Sequence, residues 1–459
     1  MKRYFIHTFG CQMNVNDSLR MGEQLARMDY APTPTAENAD LIILNTCSIR
    51  EKGEDKMLSA LGRYRTQKVS RGAVIGVGGC VAQQEKDKLL KKVPYVDFVF
   101  GPDNISRLPA IMERVEQDRV RVVETAWMDS EEYVFPRADP STAAGKVTEF
   151  VTVMKGCDNV CAFCVVPHTR GREVSRAYAE VIGEVADLAT VGVREVTLIG
   201  QNVNSYLGGC SFADLLLRVA EVPGIERVRF TTSHPHDLSD ALIDAFRVQP
   251  KIAPHFHLPV QSGSDEILKK MRRDYTVVQY LERLAKLREA RPGIAVTTDI
   301  IVGFPGETDE DFERTMELTR QVQFEAQFSF VFSPRPKTTA ALKEPEWGVV
   351  PQEVKVARLE RLQKVQREIT RGIMIPLVGS EVEVLVEGPA RGDANRCFGR
   401  TAENRTVTFD GDAPRGALVK VLVERASPNA LFGKQGHLIS APSRPAQPVR
   451  FELPVVASP

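Results

Sequence analysis

Short apolar runs alternate with amphipathic helical stretches from the first residues to about residue 332, and only a layered α/β fold buries such a pattern. In the first segment the runs Tyr4–Phe9, Leu41–Asn45, Ala73–Val77 and Tyr95–Phe100 read as buried parallel strands, because they are apolar throughout rather than alternating. The stretches Asp17–Arg27, Glu51–Gln67, Gln83–Lys92 and Ile105–Gln117 read as the helices between them, which predicts a doubly wound parallel sheet over residues 1–127. Cys11, Cys47 and Cys80 each follow a predicted strand, and parallel strands bring all their carboxyl ends to one edge. Three thiols far apart in sequence are therefore expected to meet in space. Gly10, Gly76, Gly78 and Gly79 beside them favour close approach, whereas the Gly76-Val77-Gly78-Gly79 run lacks the spacing of a dinucleotide fingerprint. Buried thiols without function are the plain alternative for any one of the three.

Residues 128–147 are polar and carry Pro136, Pro140, Ser141 and Gly145, as a linker does. Over 148–372 six strand-like runs follow: Glu149–Met154, Glu195–Leu198, Arg227–Thr231, His255–Leu258, Ala295–Ile301 and Ala326–Phe332. Helical stretches such as Ala177–Val191, Phe212–Val222, Leu238–Phe246, Val277–Glu289 and Asp309–Val322 separate them, and Val354–Ile369 reads as a long charged helix. Six βα units predict a (β/α)6 partial TIM barrel, with its site at the carboxyl ends of the strands. There, after the first strand, lies Cys157-Asp158-Asn159-Val160-Cys161-Ala162-Phe163-Cys164. Three thiolates on one loop suit a cubane iron–sulfur cluster with one iron left open. A disulfide knot, a zinc site completed by His168 and unrelated buried thiols are the alternatives.

The chain ends differently. Over 373–440 valines recur at every second position, as at Val382, Val384 and Val386, between Glu383, Leu385 and Glu387, and again at Val419, Val421 and Val423, which predicts a small antiparallel barrel of about five strands. The 441–459 tail holds five prolines and is expected to be disordered. With 60 basic and 60 acidic residues the net charge is zero, which argues against strong nonspecific nucleic-acid binding but leaves room for a local patch. No run is long and apolar enough to span a membrane, the first residues read as a strand rather than a signal peptide, and eight cysteines point to a reducing compartment, so a cytoplasmic location is expected.

The cysteine loop, with the aromatic Phe163 before its last cysteine, resembles that of the radical S-adenosylmethionine (SAM) enzymes. The order of the three parts resembles the radical SAM methylthiotransferase family, whose last module is a TRAM domain. The strings that carry the resemblance are Phe9-Gly10-Cys11-Gln12-Met13-Asn14, Asn45-Thr46-Cys47-Ser48-Ile49-Arg50-Glu51, Gly78-Gly79-Cys80-Val81-Ala82-Gln83, Pro167-His168-Thr169-Arg170-Gly171-Arg172-Glu173-Val174-Ser175-Arg176 and Gly303-Phe304-Pro305-Gly306-Glu307. The resemblance implies two [4Fe–4S] clusters: one on Cys157, Cys161 and Cys164 that cleaves SAM, and one on Cys11, Cys47 and Cys80 that carries sulfur. The variant most similar acts on isopentenylated adenosine beside the tRNA anticodon, using one SAM as methyl donor and a second as radical source. Relatives acting on threonylcarbamoyl-adenosine or on a ribosomal-protein aspartate are the rivals within the family; an iron–sulfur scaffold or electron carrier is the rival outside it. The resemblance further implies a tRNA anticodon stem-loop, an external electron donor and an iron–sulfur or sulfur delivery system as partners, and a monomer is expected.

For SAM itself, Gly200, Gln201 and Asn202 fall where the superfamily carries Gly-Gly-Glu, although no acid is present here. Gln261 and Ser262 end the fourth strand and are candidates for the ribose or carboxylate; Arg176 and Lys155 are candidates for the carboxylate, and Asp299 and Ile301-Val302-Gly303 for the adenine. The plain reading of each is loop hydrogen bonding, and of Arg170, Arg172 and Arg176 a solvated basic face. Cys210 and Cys397 read as plain thiols, and His234, His236, His255 and His257 as core or loop residues rather than a metal site. Arg391, Arg396, Arg400 and Arg405 outnumber Asp393 and Glu403 locally, a candidate phosphate-gripping edge.

Overall fold

The computed structural model describes residues 1–48, 51–130 and 132–442. The tail expected to be disordered, and the Ile49-Arg50 part of the second cysteine string, lie outside the described residues apart from 441 and 442.

The first domain is a six-stranded parallel sheet of β1 (Lys2–Thr8), β2 (Tyr30–Pro32), β3 (Leu41–Thr46), β4 (Val74–Gly79), β5 (Phe98–Phe100) and β6 (Val122–Glu124), in the order β2-β1-β3-β4-β5-β6. Successive residues bury opposite faces. Tyr4, Ile6 and Ile43 pack with Met21 and Leu25 of α1 (Gln12–Ala26) and Ile111 and Met112 of α5 (Leu108–Gln117). Phe5, Ile42 and Leu44 pack with Met57 and Leu61 of α2 (Glu51–Arg71), Val81 of α3 (Cys80–Glu85) and Leu89 of α4 (Asp87–Lys92). With helices on both faces, the winding reverses between β1 and β3. Sequence reasoning missed the short β2 and β6, and placed one helix where Lys86, at φ +51°, divides α3 from α4. It also started α1 five residues late: the helix begins directly after Cys11.

The 128–147 stretch is not a free tether. Phe135, Ala138, Ala144 and Val147 are buried, and α6 (Pro140–Ala143) is capped by Asp139, whose own N–H and the Thr142 hydroxyl donate to Glu23 of α1.

The central domain runs β7 (Thr148–Thr152), β8 (Met154–Lys155), α7 (Val166–Thr169), β9 (Val174–Ser175), α8 (Tyr178–Thr190), β10 (Glu195–Ile199), α9 (Phe212–Ala220), β11 (Arg227–Phe230), α10 (Asp240–Val248), β12 (His255–His257), α11 (Asp265–Met271), α12 (Val277–Ala290), β13 (Ala295–Val302), α13 (Asp309–Val322), β14 (Ala326–Val331), α14 (Thr339–Trp347) and α15 (Gln352–Met374). The six barrel strands β7-β10-β11 and β12-β13-β14 are parallel, and the two halves meet at a single bridge, Val228 to Ile252. Ser or Thr caps open most of the helices, with reciprocal capping boxes at Ser211/Asp214, Thr276/Gln279 and Thr308/Asp311. Because the barrel is open, β7 has a bare edge that needs cover. Helix α1 supplies it with a polar face: Asn16 donates to Thr152 at 2.9 Å, and Arg20 lies 3.7 Å from Glu149.

The last domain is a closed barrel, β15 (Glu381–Ala390), β16 (Asp393–Arg400), β17 (Thr406–Asp410), β19 (Leu431–Ser440) and β18 (Leu418–Ala426) in that cyclic order. One pairing departs from the expected antiparallel barrel: β17 and β19 run parallel. The turn after β16 docks on the central barrel, where Arg229 donates to the Thr401 and Ala402 carbonyls at 2.7 Å and Arg405 pairs with Glu325 at 2.6 Å. Arg400 pairs with Glu387 and Arg396 with Asp410, so the expected phosphate-gripping edge is largely neutralised within the protein.

Candidate active site

The first three cysteines are gathered by the turns leaving β1, β3 and β4. Cys11 is the N-cap of α1 and Cys80 the first residue of α3. Gly10, at φ +117°, passes so close to Cys47 that a Cβ would collide with it, and Gly79, at φ +91°, lies as tightly against Thr46. Below them Asn45 and Asn14 are cross-linked: Asn14 donates to the Asn45 side chain at 3.1 Å and to the Thr46 carbonyl at 3.0 Å. The Cys11 thiol is drawn down to about 6, first by its hydrogen bond with Cys47, then by the Arg170 guanidinium and by backbone N–H groups at the helix start. Burial pushes the Cys80 thiol up, and Arg170 opposes that.

The second set hangs from the end of the first barrel strand. Gly156, at φ +73°, turns the chain against the Arg172 carbonyl, and the Cys157 N–H donates to the Gly171 carbonyl at 3.3 Å. Ala162 donates to the Met271 carbonyl and accepts from Ala340, pinning the loop between α11 and α14; Phe163 packs against the same small apolar cluster. Burial raises the Cys157 thiol to about 11 and the Cys164 thiol to about 12, and the neighbouring Cys161 adds to both. Crowded, desolvated thiols of this kind ionise together only when a cation holds them. Among the described residues no group of three His, Cys, Asp or Glu side chains converges tightly enough to hold a single metal ion. A cubane asks for a wider set, since each thiolate takes a different iron.

The other candidates fall into two groups. Gln201 accepts from the Gly156 N–H, which sets it beside the Cys157 loop, and Asn202 donates to Asp237 at 2.7 Å; Gly200 allows close passage over Met154. Gln201 Nε2 and Asn202 Oδ1 are buried without a hydrogen-bond partner, an arrangement that fits a polar ligand. Gln261 holds φ +71°, a costly conformation for a non-glycine residue, at the strand end beside Asp299, which in turn lies 3.5 Å from His257. The remaining three are engaged elsewhere. Ser262 is within 3.4 Å of Thr315 and accepts from Ser264 N. Arg176 is fully buried, with Glu184 and Glu180 on two of its nitrogens. Lys155 pairs with Asp103 of the first domain at 2.6 Å and lies 3.7 Å above the Tyr133 ring. The solvated basic face holds only for Arg172, which is exposed and pairs with Asp158; Arg170 is buried.

The comparisons with known proteins decide the family. One family model, "Uncharacterized protein family UPF0004", matches residues 3–101; the radical SAM superfamily matches 151–319 and the TRAM domain 377–435. A tRNA-2-methylthio-N(6)-dimethylallyladenosine synthase of Myxococcus xanthus is 78% identical over 98% of this chain and 97% of its own. The chain belongs to the tRNA-2-methylthio-N(6)-dimethylallyladenosine synthase family. Synthases of the same name from Anaeromyxobacter sp. (strain K) and Geobacter metallireducens are 64% and 48% identical, each over 94% of this chain and over 94% and 98% of their own. Among solved structures, the radical SAM methyltransferase TsrM from Kitasatospora setae, at 15% identity, covers 75% of this chain and 74% of its own with a TM-score of 0.54, a likeness of fold alone.

Two residues of this synthase chain escaped sequence reasoning. Arg273 donates to the Cys161 sulfur at 3.3 Å and to the Pro259 carbonyl at 3.1 Å; it is the second of two arginines after α11, with no motif around them. Asp17 meets Arg170 across the domain boundary at 2.6 Å, and its burial on a helix otherwise read as amphipathic is the only local signal. Cys210 packs on the barrel core and Cys397 donates to the Gly411 carbonyl, as plain thiols do. Among the histidines, His234 and His7 are buried, while His236 is largely exposed.

Proposed function

We propose that this chain converts N6-isopentenyladenosine beside the anticodon of tRNA to its 2-methylthio derivative, as a radical SAM methylthiotransferase. The observation that carries the reading is the pairing of two three-cysteine sets, on adjoining domains, in a chain of this family. Cys157, Cys161 and Cys164 would hold one [4Fe–4S] cluster, and Cys11, Cys47 and Cys80 a second. Bound there, the first supplies the electron for reductive SAM cleavage and the second carries the sulfur that is methylated by one SAM and inserted after radical attack by another. The chain's own part is placement and exclusion of water. Gln201 and Asn202 offer their unpartnered polar atoms to SAM, Gln261 and Asp299 line the far side of the mouth, and Arg273 fixes the Cys161 sulfur. The buried Lys155 and Asp103, with the half-buried Tyr133 ring beside them, seal the boundary between the domains against solvent that would quench a radical.

In this reading residues 1–127 carry the auxiliary site, 148–372 the radical chemistry and 373–440 a TRAM domain that grips the tRNA. An external electron donor and an iron–sulfur or sulfur delivery system complete the cycle, and the enzyme works as a cytoplasmic monomer. Among the described residues no helix is long and apolar enough to cross a membrane. Nucleoside analysis of tRNA from a deletion strain tests the reading. The methylthiolated isopentenyladenosine should vanish, its precursor accumulate, and a plasmid copy restore it. Unchanged levels would contradict the assignment.

A further inference from the structure

The two cysteine sets share one turn of chain. Arg170 and Gly171 follow α7, which begins two residues beyond Cys164 and packs on α3, the helix that Cys80 opens. The Gly171 carbonyl accepts from the Cys157 N–H at 3.3 Å. The side chain of the residue before it points the other way, into the first domain. Arg170 is buried, its Nη2 lies 2.6 Å from Asp17 Oδ2 with both side chains under a tenth exposed, and its guanidinium is close enough to act on the Cys80 and Cys11 thiols. The first domain brings three thiols and one carboxylate together, and the barrel adds a buried positive charge.

We propose that Arg170 is a positioning residue for the auxiliary site, which is a composite of two domains: the barrel supplies the positive charge beside Cys80 and Cys11 and so sets the reduction potential of what the triad holds. The inference rests on the reading of Cys11, Cys47 and Cys80 as cluster ligands. Its physical basis is that a buried cation beside anionic thiolates favours the more reduced, more negative state, and low local polarity strengthens the effect. Asp17 moderates it by taking part of the Arg170 charge, while orienting the guanidinium. One turn thus ties the backbone of Cys157 to the electrostatics of Cys80.

The test uses the full chain with Cys157, Cys161 and Cys164 replaced by alanine, so that only the auxiliary site can be filled. After anaerobic reconstitution this parent should hold about four irons; a parent without iron would sink the cluster reading itself, separately from the role of Arg170. In that background Arg170→Met should move the midpoint potential, followed by electron paramagnetic resonance, to a more negative value. Arg170→Lys should recover part of the shift, and Asp17→Asn should move the potential the opposite way. Arg172→Met, two residues on and exposed, should leave it in place. Loss of iron from the Met variant but not the Lys variant also supports a need for charge. Full iron with an unmoved potential in Arg170→Met, or equal iron loss in the Met and Lys variants, overturns the proposal.

Discussion

Lys155 Nζ lies 2.6 Å from Asp103 Oδ2, and both side chains are under a tenth exposed. The pair joins the residue two places before Cys157 to the turn that follows β5, so the cysteine loop of one domain is anchored in the other. Burial pushes the lysine down, while Asp103 holds the charge in place. Removing one partner leaves an uncompensated charge in the interface. Asp103→Ala should cost about 3–5 kcal/mol, seen as a lower urea midpoint and faster amide exchange in α1. The double variant Asp103→Leu with Lys155→Met should recover most of that loss, because no buried charge remains.

Gly156 combines φ +73° with a Cβ position blocked by the Arg172 carbonyl. An L side chain pays about 1–2 kcal/mol for the left-handed conformation alone, and the collision with backbone adds to it. Gly156→Ala should therefore misplace the Cys157 loop, while the turns leaving β1, β3 and β4 still hold Cys11, Cys47 and Cys80 in place. Iron after reconstitution should drop by about half, from roughly eight to roughly four. Full iron in this variant would show that the loop tolerates the change.

Two buried histidines make stability pH-dependent. Burial, then Arg63, draws His7 down to about 4; burial, then Arg273 and His236, draws His234 down to about 2. The unfolded chain protonates both as pH falls through 6.5, whereas the folded chain does so only near those lower values. Their contribution is intact above pH 6.5 and is lost below it, by about 1.4 kcal/mol per pH unit for each histidine. Urea midpoints compared at about pH 7.5 and about pH 5.5 should show a decline that His7→Gln and His234→Gln each make shallower.

What the sequence disclosed and what it hid have a common cause. Cys11, Cys47 and Cys80 were legible because strand direction alone carries the ends of β1, β3 and β4 to one edge. Cys157, Cys161 and Cys164 lie on one loop and announce themselves. The partnerships across the domain boundary obey no period. Asp17 finds Arg170 from 153 positions away and Asp103 finds Lys155 from 52. Helix α1 hid its second task for the same reason: Asn16, Arg20 and Glu23 look like a solvent face until β7 is known to be an open edge. Arg176 was misjudged because its partner Glu184, although near in sequence, sits on a helix whose packing buries it against the guanidinium rather than leaving it to water.

The central claim is a division of labour between two cysteine sets, and one assay tests it most directly. The Cys11, Cys47 and Cys80→Ala protein, reconstituted and given reductant, SAM and isopentenylated tRNA, is analysed for 5′-deoxyadenosine and for methylthiolated nucleoside. The account predicts that 5′-deoxyadenosine still forms while no methylthio product does. Methylthiolated tRNA from this variant would contradict it.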